Sequence, residues 1–420
     1  MSLGPSLPLM AIRSDGGPLL SPQSVPQVLT DYLWVFLAAM AISLATTPLF
    51  ARVAKSLGIV DRPAGRKLHR EATPYLGGLA ILAAWLAGVV LGSLVFLDDP
   101  GQKGPIIGIV IGATIATAVG LLDDLMDIKP YIKIFGQLLS AYVLIFSGVG
   151  LKIGKVLFDP LHIQPSPQVG LAVSAAFSVL VVLAVCNSVN LLDGLDGLCS
   201  GVIVIMVSAL TVLAIGLARH GCYEIYDPTR MIVSLAILGA ILGFLPYNFN
   251  PASIFMGDAG SMLLGFTAAA LFLLLGENAP NIRWFYAGLL VFGLPAMDTG
   301  LAIYRRIRAG QSPMSPDAHH LHHQLIRQGL TVRQAVALLY VLASFFAITA
   351  LLMVQVRVRY GAILVVFAGA IMGLVTVSFR LHRMGPVGRM TDETIRQLPK
   401  ARVSDAQEPS EEETDVPPPV

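Results

Sequence analysis

The chain has 420 residues, of which 55% are apolar and only 13% charged, with a net charge of +2. Soluble domains carry roughly 25% charged residues, so this composition excludes a conventional cytoplasmic enzyme, and a mean hydropathy of +0.73 excludes an intrinsically disordered chain. The small net charge gives no reason to expect a nucleic-acid partner, and the three cysteines (Cys186, Cys199 and Cys222) lack the spacing of a disulfide or zinc framework.

Residues 1–30 hold several Pro, Ser and Gly residues without a basic patch leading into an apolar run, and read as a flexible lead rather than a cleaved signal peptide. Apolar windows of the length a bilayer needs, about 20 residues each, follow at 31–53, 76–97, 104–122, 131–149, 169–189, 198–217, 229–247, 258–276, 283–302, 332–354 and 360–379. The expected fold is an all-α polytopic membrane protein with about eleven transmembrane helices spread over 31–380. Residues 381–420 turn polar, then acidic and proline-rich, and read as a disordered cytoplasmic tail.

Cytoplasmic loops gather Lys and Arg. If the first span runs outside to inside, segments 52–75, 123–133, 190–196, 248–257, 303–333 and 380–420 fall inside. They hold the basic residues by better than two to one over the outer connections. The expected orientation therefore has the N-terminus outside and the C-terminus in the cytoplasm.

The same topology sorts the chemistry. Asp61, Arg62, Arg66, Lys67, His69 and Arg70 lie in the first inner segment, and Asp123, Asp124 and Asp127 in the second. Asn187, Asn190, Asp193 and Asp196 straddle the third, Asn248, Asn250 and Asp258 the fourth, and His319, His320, His322 and His323 sit in the fifth. A transporter or channel also places polar groups along a path through the bilayer. Here every acidic or histidine cluster faces one side. Each Asp at the bilayer centre would cost roughly 2.5–3.5 kcal/mol, so these carboxylates belong at helix ends near the cytoplasmic interface, in numbers that call for a cation.

Asp123 and Asp127 share a helix face at i, i+4, while Asp123 and Asp124 diverge by about 100°. Solvated loop carboxylates fit this pattern, and so does a site for metal-bound phosphate or proton transfer. Lys133 suits either a diphosphate or a positive-inside anchor. The run Asn187-Ser-Val-Asn190-Leu-Leu-Asp193-Gly-Leu-Asp196-Gly repeats a polar residue at every third position, more than a helix cap needs, and Gly194 and Gly197 predict a helix break. Gly257-Asp258-Ala-Gly260-Ser261 opens an apolar span. Asp258 is there either a simple cap or part of a phosphate site, where glycines clear space and the helix N-terminus favours an anion. Mg²⁺ takes one or two protein oxygens and completes its octahedron with water and phosphate; Asn190 and Asp258 can supply two. The histidines include i, i+3 and i, i+4 pairs. These fit phosphate binding by partly protonated imidazoles beside Arg305, Arg306 and Arg308, or a zinc site with only Asp317 near as a further ligand.

Taken together, Asp61-Arg-Pro, Arg66-Lys67-Leu-His69, Thr73-Pro74-Tyr-Leu-Gly77-Gly78, the Asp123-Asp124 pair, Asn187 to Asp196-Gly, Phe255-Met-Gly257-Asp258-Ala-Gly-Ser261 and the His319–His323 run resemble the polyprenyl-phosphate N-acetylhexosamine-1-phosphate transferases over about residues 31–380. The stretch Ser312-Pro-Met-Ser-Pro316-Asp317-Ala-His-His-Leu-His-His is similar to the bacterial branch that uses UDP-N-acetylglucosamine. The peptidoglycan branch has Thr-Pro-Thr-Met-Gly-Gly where this chain has Thr73-Pro74-Tyr75-Leu76-Gly77-Gly78, and the eukaryotic branch carries a large insertion absent from 303–331.

The resemblance implies transfer of GlcNAc-1-phosphate from UDP-GlcNAc to undecaprenyl phosphate, yielding undecaprenyl-diphosphate-GlcNAc and UMP, as the first membrane step of a cell-envelope polysaccharide at the cytoplasmic face of a bacterial inner membrane. It implies Mg²⁺ at Asn190 and Asp258, with Mn²⁺ as a substitute, the diphosphate near Lys133, nucleotide contacts at Asp193 and Asp196, and Asp123 beside the lipid phosphate. Asp123, Asp124 and Asp258 are the expected catalytic carboxylates; Asn187, Arg70, His319, His320, His322 and His323 complete the expected substrate contacts. The expected partners are UDP-GlcNAc, undecaprenyl phosphate, membrane lipid and a second copy of the chain in a homodimer. Direct attack of the lipid phosphate on the β-phosphorus is the favoured route, and a covalent aspartyl-phosphate is the alternative. Other donors, muramoyl-pentapeptide among them, form the second expectation. An intramembrane prenyltransferase using Asp124–Asp127 and Asp193–Asp196 is the remote one.

Overall fold

The computed structural model describes residues 25–61, 72–97, 100–150, 152, 154, 158, 162–219, 227–276, 282–312 and 320–355. Its helices are α1 (Val25–Ser56), α2 (Gly77–Phe96), α3 (Pro100–Met126), α4 (Pro130–Phe146), α5 (Pro167–Leu192), α6 (Leu198–Arg219), α7 (Asp227–Asn248), α8 (Gly257–Gly276), α9 (Ile282–Val291), α10 (Gly293–Arg308), α11 (Leu321–Arg327) and α12 (Val332–Gln355). A two-residue antiparallel pair, β1 (Val60–Asp61) with β2 (Thr73–Pro74), sets Asp61 opposite Thr73.

Helix boundaries follow local chemistry. Pro130 and Pro167 open α4 and α5 at positions whose amide has no helical partner, and the Ser166 hydroxyl accepts from the amide of Val169 at the start of α5. Between α9 and α10 the axis bends by 70°. Pro295 has no N–H to offer the carbonyl of Val291, so the ladder breaks there and the chain restarts at Gly293.

The organising element is α8. A helix that is apolar all round needs neighbours all round, and every residue of α8 except Asp258 is buried. It is enclosed by α2, α3, α5, α6, α7 and α9. The outer helices show the opposite pattern: large apolar side chains such as Leu94, Leu180 and Val341 point outward, as a hydrocarbon environment allows.

Among the described residues, eight helices are long and apolar enough to cross a membrane, or nine if the bent α9–α10 pair makes one span. Ten of the eleven expected windows therefore fall on helices, but not all as single full spans. The window 131–149 becomes the 17-residue α4, ending before the turn at Ser147–Gly150. The window 283–302 is broken by its proline. The window 360–379, the lead at 1–24 and the tail at 381–420 lie outside the described residues.

Candidate active site

The ends of α1, α3, α5 and α7 and the starts of α2, α4, α6, α8, α11 and α12 meet at one end of the bundle. They surround a cavity of about 1040 Å³. Its walls carry six carboxylates (Asp61, Asp123, Asp124, Asp193, Asp196 and Asp258) against Lys55 and His323. Five of the six inner segments inferred from charge bias thus contribute described residues to one wall, which is strongly acidic, and the sixth, 380–420, lies outside the described residues.

Beside two of these carboxylates, Lys133 Nζ on α4 lies 2.6 Å from Asp123 Oδ2 on α3 and 2.5 Å from Asp258 Oδ2 on α8. Asn190 at the end of α5 donates to Asp258 Oδ1 at 2.8 Å and to the Ser261 hydroxyl at 2.9 Å. Four helices are tied together by these contacts. Asp123 Oδ1 is buried without a partner, an acceptor held ready for a cation or donor.

Asp124 faces elsewhere. Its Oδ1 accepts from the amide of Asp258 at 2.8 Å and its Oδ2 from that of Ala259 at 3.0 Å. Gly257, at φ +68°, leaves space for this carboxylate where a Cβ would collide with it. Of the two readings of the start of α8, a cap or a phosphate site, the cap is the one seen: its first free amides hold a carboxylate, for the same electrostatic reason that would draw a phosphate.

The predicted helix break lies at Asp193–Gly197, with Gly197 at φ +77°. Asp193 sits in the cavity wall, and its carboxyl is pushed up to about 8, first by burial and then by Asp258, Asp124 and Asp196. Asp196 instead holds the rim: its Oδ2 accepts from Asn250 Nδ2 at 2.9 Å and from the Ala252 amide at 3.0 Å. Arg333 of α12 clamps the same rim by donating to the Asn250 carbonyl. Asn187 is not brought to the cavity; it donates to Gln137 of α4 and to the Leu183 carbonyl. Its place one turn before Asn190 sets it deeper along α5.

Of the four histidines, His319 lies outside the described residues, as does Arg70. His323 lines the cavity. His320 and His322 are buried, 4% and 2% exposed. Burial beside His323 and His320 lowers His322 to about 4, so it is a neutral ring at physiological pH and not the charged phosphate contact expected from sequence. It packs where a Cβ on Gly194 would stand. Among the described residues no group of three or more His, Cys, Asp or Glu is arranged to hold a metal; Asp317 and His319, the other members of the zinc alternative, lie outside them.

Two features, one lining the cavity and one buried behind its histidine, are missed by sequence reasoning. The segment of β2 is laced to the loop before α8: the Phe255 amide donates to the Pro74 carbonyl at 2.8 Å, and the Gly77 amide to the Phe255 carbonyl at 3.0 Å. This seats the Tyr75 ring 5.8 Å from Phe255, with its hydroxyl pKa raised by burial and by Asp61. Asp298, 3% exposed in α10, binds His320 Nδ1 at 3.0 Å and accepts from the Leu321 amide at 2.9 Å. The available signal was an ionisable residue inside an apolar window, which is functional by default.

A multi-pass helical bundle with six carboxylates gathered around one acidic cavity at one end defines a membrane-embedded protein with a polar site. The family model described as Glycosyl transferase family 4 matches residues 106–276. The chain is 32% identical to the probable undecaprenyl-phosphate N-acetylglucosaminyl 1-phosphate transferase of Bacillus subtilis, covering 76% of this chain and 84% of that one. It is 33% identical to the decaprenyl-phosphate N-acetylglucosaminephosphotransferase of Mycobacterium leprae (89% and 96%). It is 30% identical to the undecaprenyl-phosphate alpha-N-acetylglucosaminyl 1-phosphate transferase of Escherichia coli K12 (76% and 82%). The chain belongs to the polyprenyl-phosphate N-acetylhexosamine-1-phosphate transferase family.

Proposed function

We propose that the chain transfers GlcNAc-1-phosphate from UDP-GlcNAc to undecaprenyl phosphate, giving undecaprenyl-diphosphate-GlcNAc and UMP, at the cytoplasmic face of a bacterial inner membrane with its N-terminus outside. The relatives' names support GlcNAc-1-phosphate transfer to a polyprenyl phosphate. The observation that carries the reading is the contact of Lys133 with both Asp123 and Asp258, with Asn190 on the other oxygen of Asp258.

This cavity is acidic and both reactants are polyanions, so cations must intervene. The donor set fits Mg²⁺: the Asp258 carboxylate and the carbonyl oxygen of the Asn190 amide are hard oxygens, and the unpartnered Asp123 Oδ1 lies across Lys133 from them. Two protein oxygens suffice where phosphates and water complete the shell. When bound, the ion neutralises the diphosphate and stabilises charge on the leaving phosphate. Mn²⁺, with similar ligand preferences, is the natural substitute.

The acceptor's phosphate monoester has a second pKa near ~6 and is mostly a dianion at neutral pH, so a strong base is hardly needed. A phosphate oxygen forms the new bond to the β-phosphorus, the bond from that phosphorus to the bridging oxygen breaks, and UMP leaves. Asp123 orients the acceptor or takes its last proton, Lys133 supplies positive charge beside it, and the wall holding Asp193, Tyr75 and Phe255 receives the nucleotide. The mycobacterial relatives, named for decaprenyl phosphate, favour a second reading in which the acceptor chain is decaprenyl.

The test incubates purified full-length protein with UDP-GlcNAc, UDP-GalNAc or UDP-MurNAc-pentapeptide, and with undecaprenyl or decaprenyl phosphate, in Mg²⁺, Mn²⁺ or EDTA. UMP and the lipid product are scored together. Metal-dependent release from UDP-GlcNAc, with a matching lipid diphosphate, is expected; preference for the muramoyl donor, or turnover in EDTA, contradicts the reading.

A further inference from the structure

The short helix α11 is held from two sides. On one, Asp298 of α10 takes His320 Nδ1 at 3.0 Å and the Leu321 amide at 2.9 Å. On the other, the His322 ring lies against Gly194 in the break between α5 and α6, in space that a side chain at 194 would fill. His320 and His322 stack nearly parallel, 6° apart with centroids at 5.8 Å, and His323 follows at 4.2 Å from His322. Only His323 of the three reaches the cavity. The anchor is thus a buried carboxylate making two directed bonds to α11 at its first residues.

We propose that Asp298 is a positioning residue of the transfer reaction: by fixing the His320 ring and the start of α11 together, it sets where His323 stands in the cavity wall. A purely structural salt bridge could join any two surfaces. Here the two carboxylate oxygens are divided between a side chain and the adjacent backbone amide, which fixes both the rotation of the ring and the register of the helix. The bend at Pro295 is what turns α10 so that Asp298, three residues later, faces α11 rather than lipid.

The inference rests on the proposed transfer activity, and its test separates the two. A double-mutant cycle compares Asp298→Asn, His320→Gln and the pair, with Asp298→Glu as the conservative variant. Displacement of a reacting group by about 1 Å costs on the order of 100-fold, so Asp298→Asn should lower kcat or raise KM for UDP-GlcNAc by that order while leaving KM for the lipid acceptor unchanged. The double variant should be no worse than the worse single one, and Asp298→Glu should recover part of the rate. An activity-independent readout uses protein labelled with ¹⁵N-histidine: the His320 Nδ1 resonance should shift in Asp298→Asn. Additive losses, equal effects on both substrates, an unmoved resonance, or failure of both Asp298 variants to fold would each overturn the proposal. A wild-type chain inactive on UDP-GlcNAc whose His320 resonance still responds would instead reject the activity and leave the anchor standing.

Discussion

Asp124 and Asp258 meet through the backbone: the carboxylate of one receives the amide of the other and of Ala259, at 2.8 and 3.0 Å. Adjacent aspartates therefore have different duties, Asp123 toward Lys133 and Asp124 toward the start of α8. Loss of an N-cap acceptor costs about 0.5–2 kcal/mol. Asp124→Asn keeps one acceptor oxygen and Asp124→Ala keeps none, so thermal stability in detergent should fall in the order wild type, Asn, Ala. Turnover should fall with it, because the displaced backbone carries Asp258. Equal melting temperatures in all three proteins would show that the cap is not holding α8.

Lys133 competes for the oxygens that a divalent ion needs. Lys133→Ala should abolish most transfer, yet leave Asp123 and Asp258 with uncompensated charge. The stabilisation by Mg²⁺ seen in a melting curve should consequently be larger in the variant than in the wild type. A smaller shift would place the ion elsewhere. Asp258→Ala should remove both the shift and the activity.

Asp123 reaches α8 through Lys133 and not through that helix's backbone, so its replacement by the isosteric Asn, which leaves the Asp124 cap in place, weighs mainly on chemistry. Asp123→Asn should cut turnover while leaving UDP-GlcNAc affinity, measured by calorimetry, close to that of the wild type. A large loss of nucleotide affinity would assign Asp123 to the donor instead.

Two groups displaced by burial, His322 beside the cavity's His323 and Asp193 in its wall, act in opposite directions. His322 titrates near 4 when folded against an ordinary 6.5, so below 6.5 the unfolded chain binds a proton that the folded one refuses. Stability is complete above pH 6.5 and is lost as pH falls toward 4, by up to about 3 kcal/mol from this ring. His322→Gln should flatten that acid limb. Asp193 titrates near 8 against an ordinary 3.8, so its protonated form favours the folded state below pH 3.8 and that contribution fades as pH rises to 8. Asp193→Asn should be stabilised relative to wild type at pH 8 and not at pH 4, in metal-free buffer. Parallel melting curves across pH would remove these assignments.

Much of this architecture could be read from residues in order. Apolar length located the helices, and the one-sided charge placed Asp61, Asp123, Asp193, Asp258 and His323 around one cavity. The failures have a common cause: sequence records which groups are present but not which bonds they have already made. Asp124 and Asp123 look alike until one is seen capping α8. Asp196 does line the cavity, yet nothing in its position in the chain shows that its Oδ2 is committed to Asn250 and Ala252. His322 reads as a cation until burial neutralises it. Asp298 was hidden inside a window counted as one straight span, although Pro295 marked the bend.

The enclosure of α8 bears on how the molecule is made. Five of its six neighbours, α2, α3, α5, α6 and α7, precede it along the chain, and α9 follows. A nascent polypeptide would release those five into the bilayer first, leaving a slot filled by acyl chains until α8 displaces them. Biogenesis then hinges on the entry of α8 between helices already in place, and the cavity is finished only when the later helices bring His323 and Val332 to its wall.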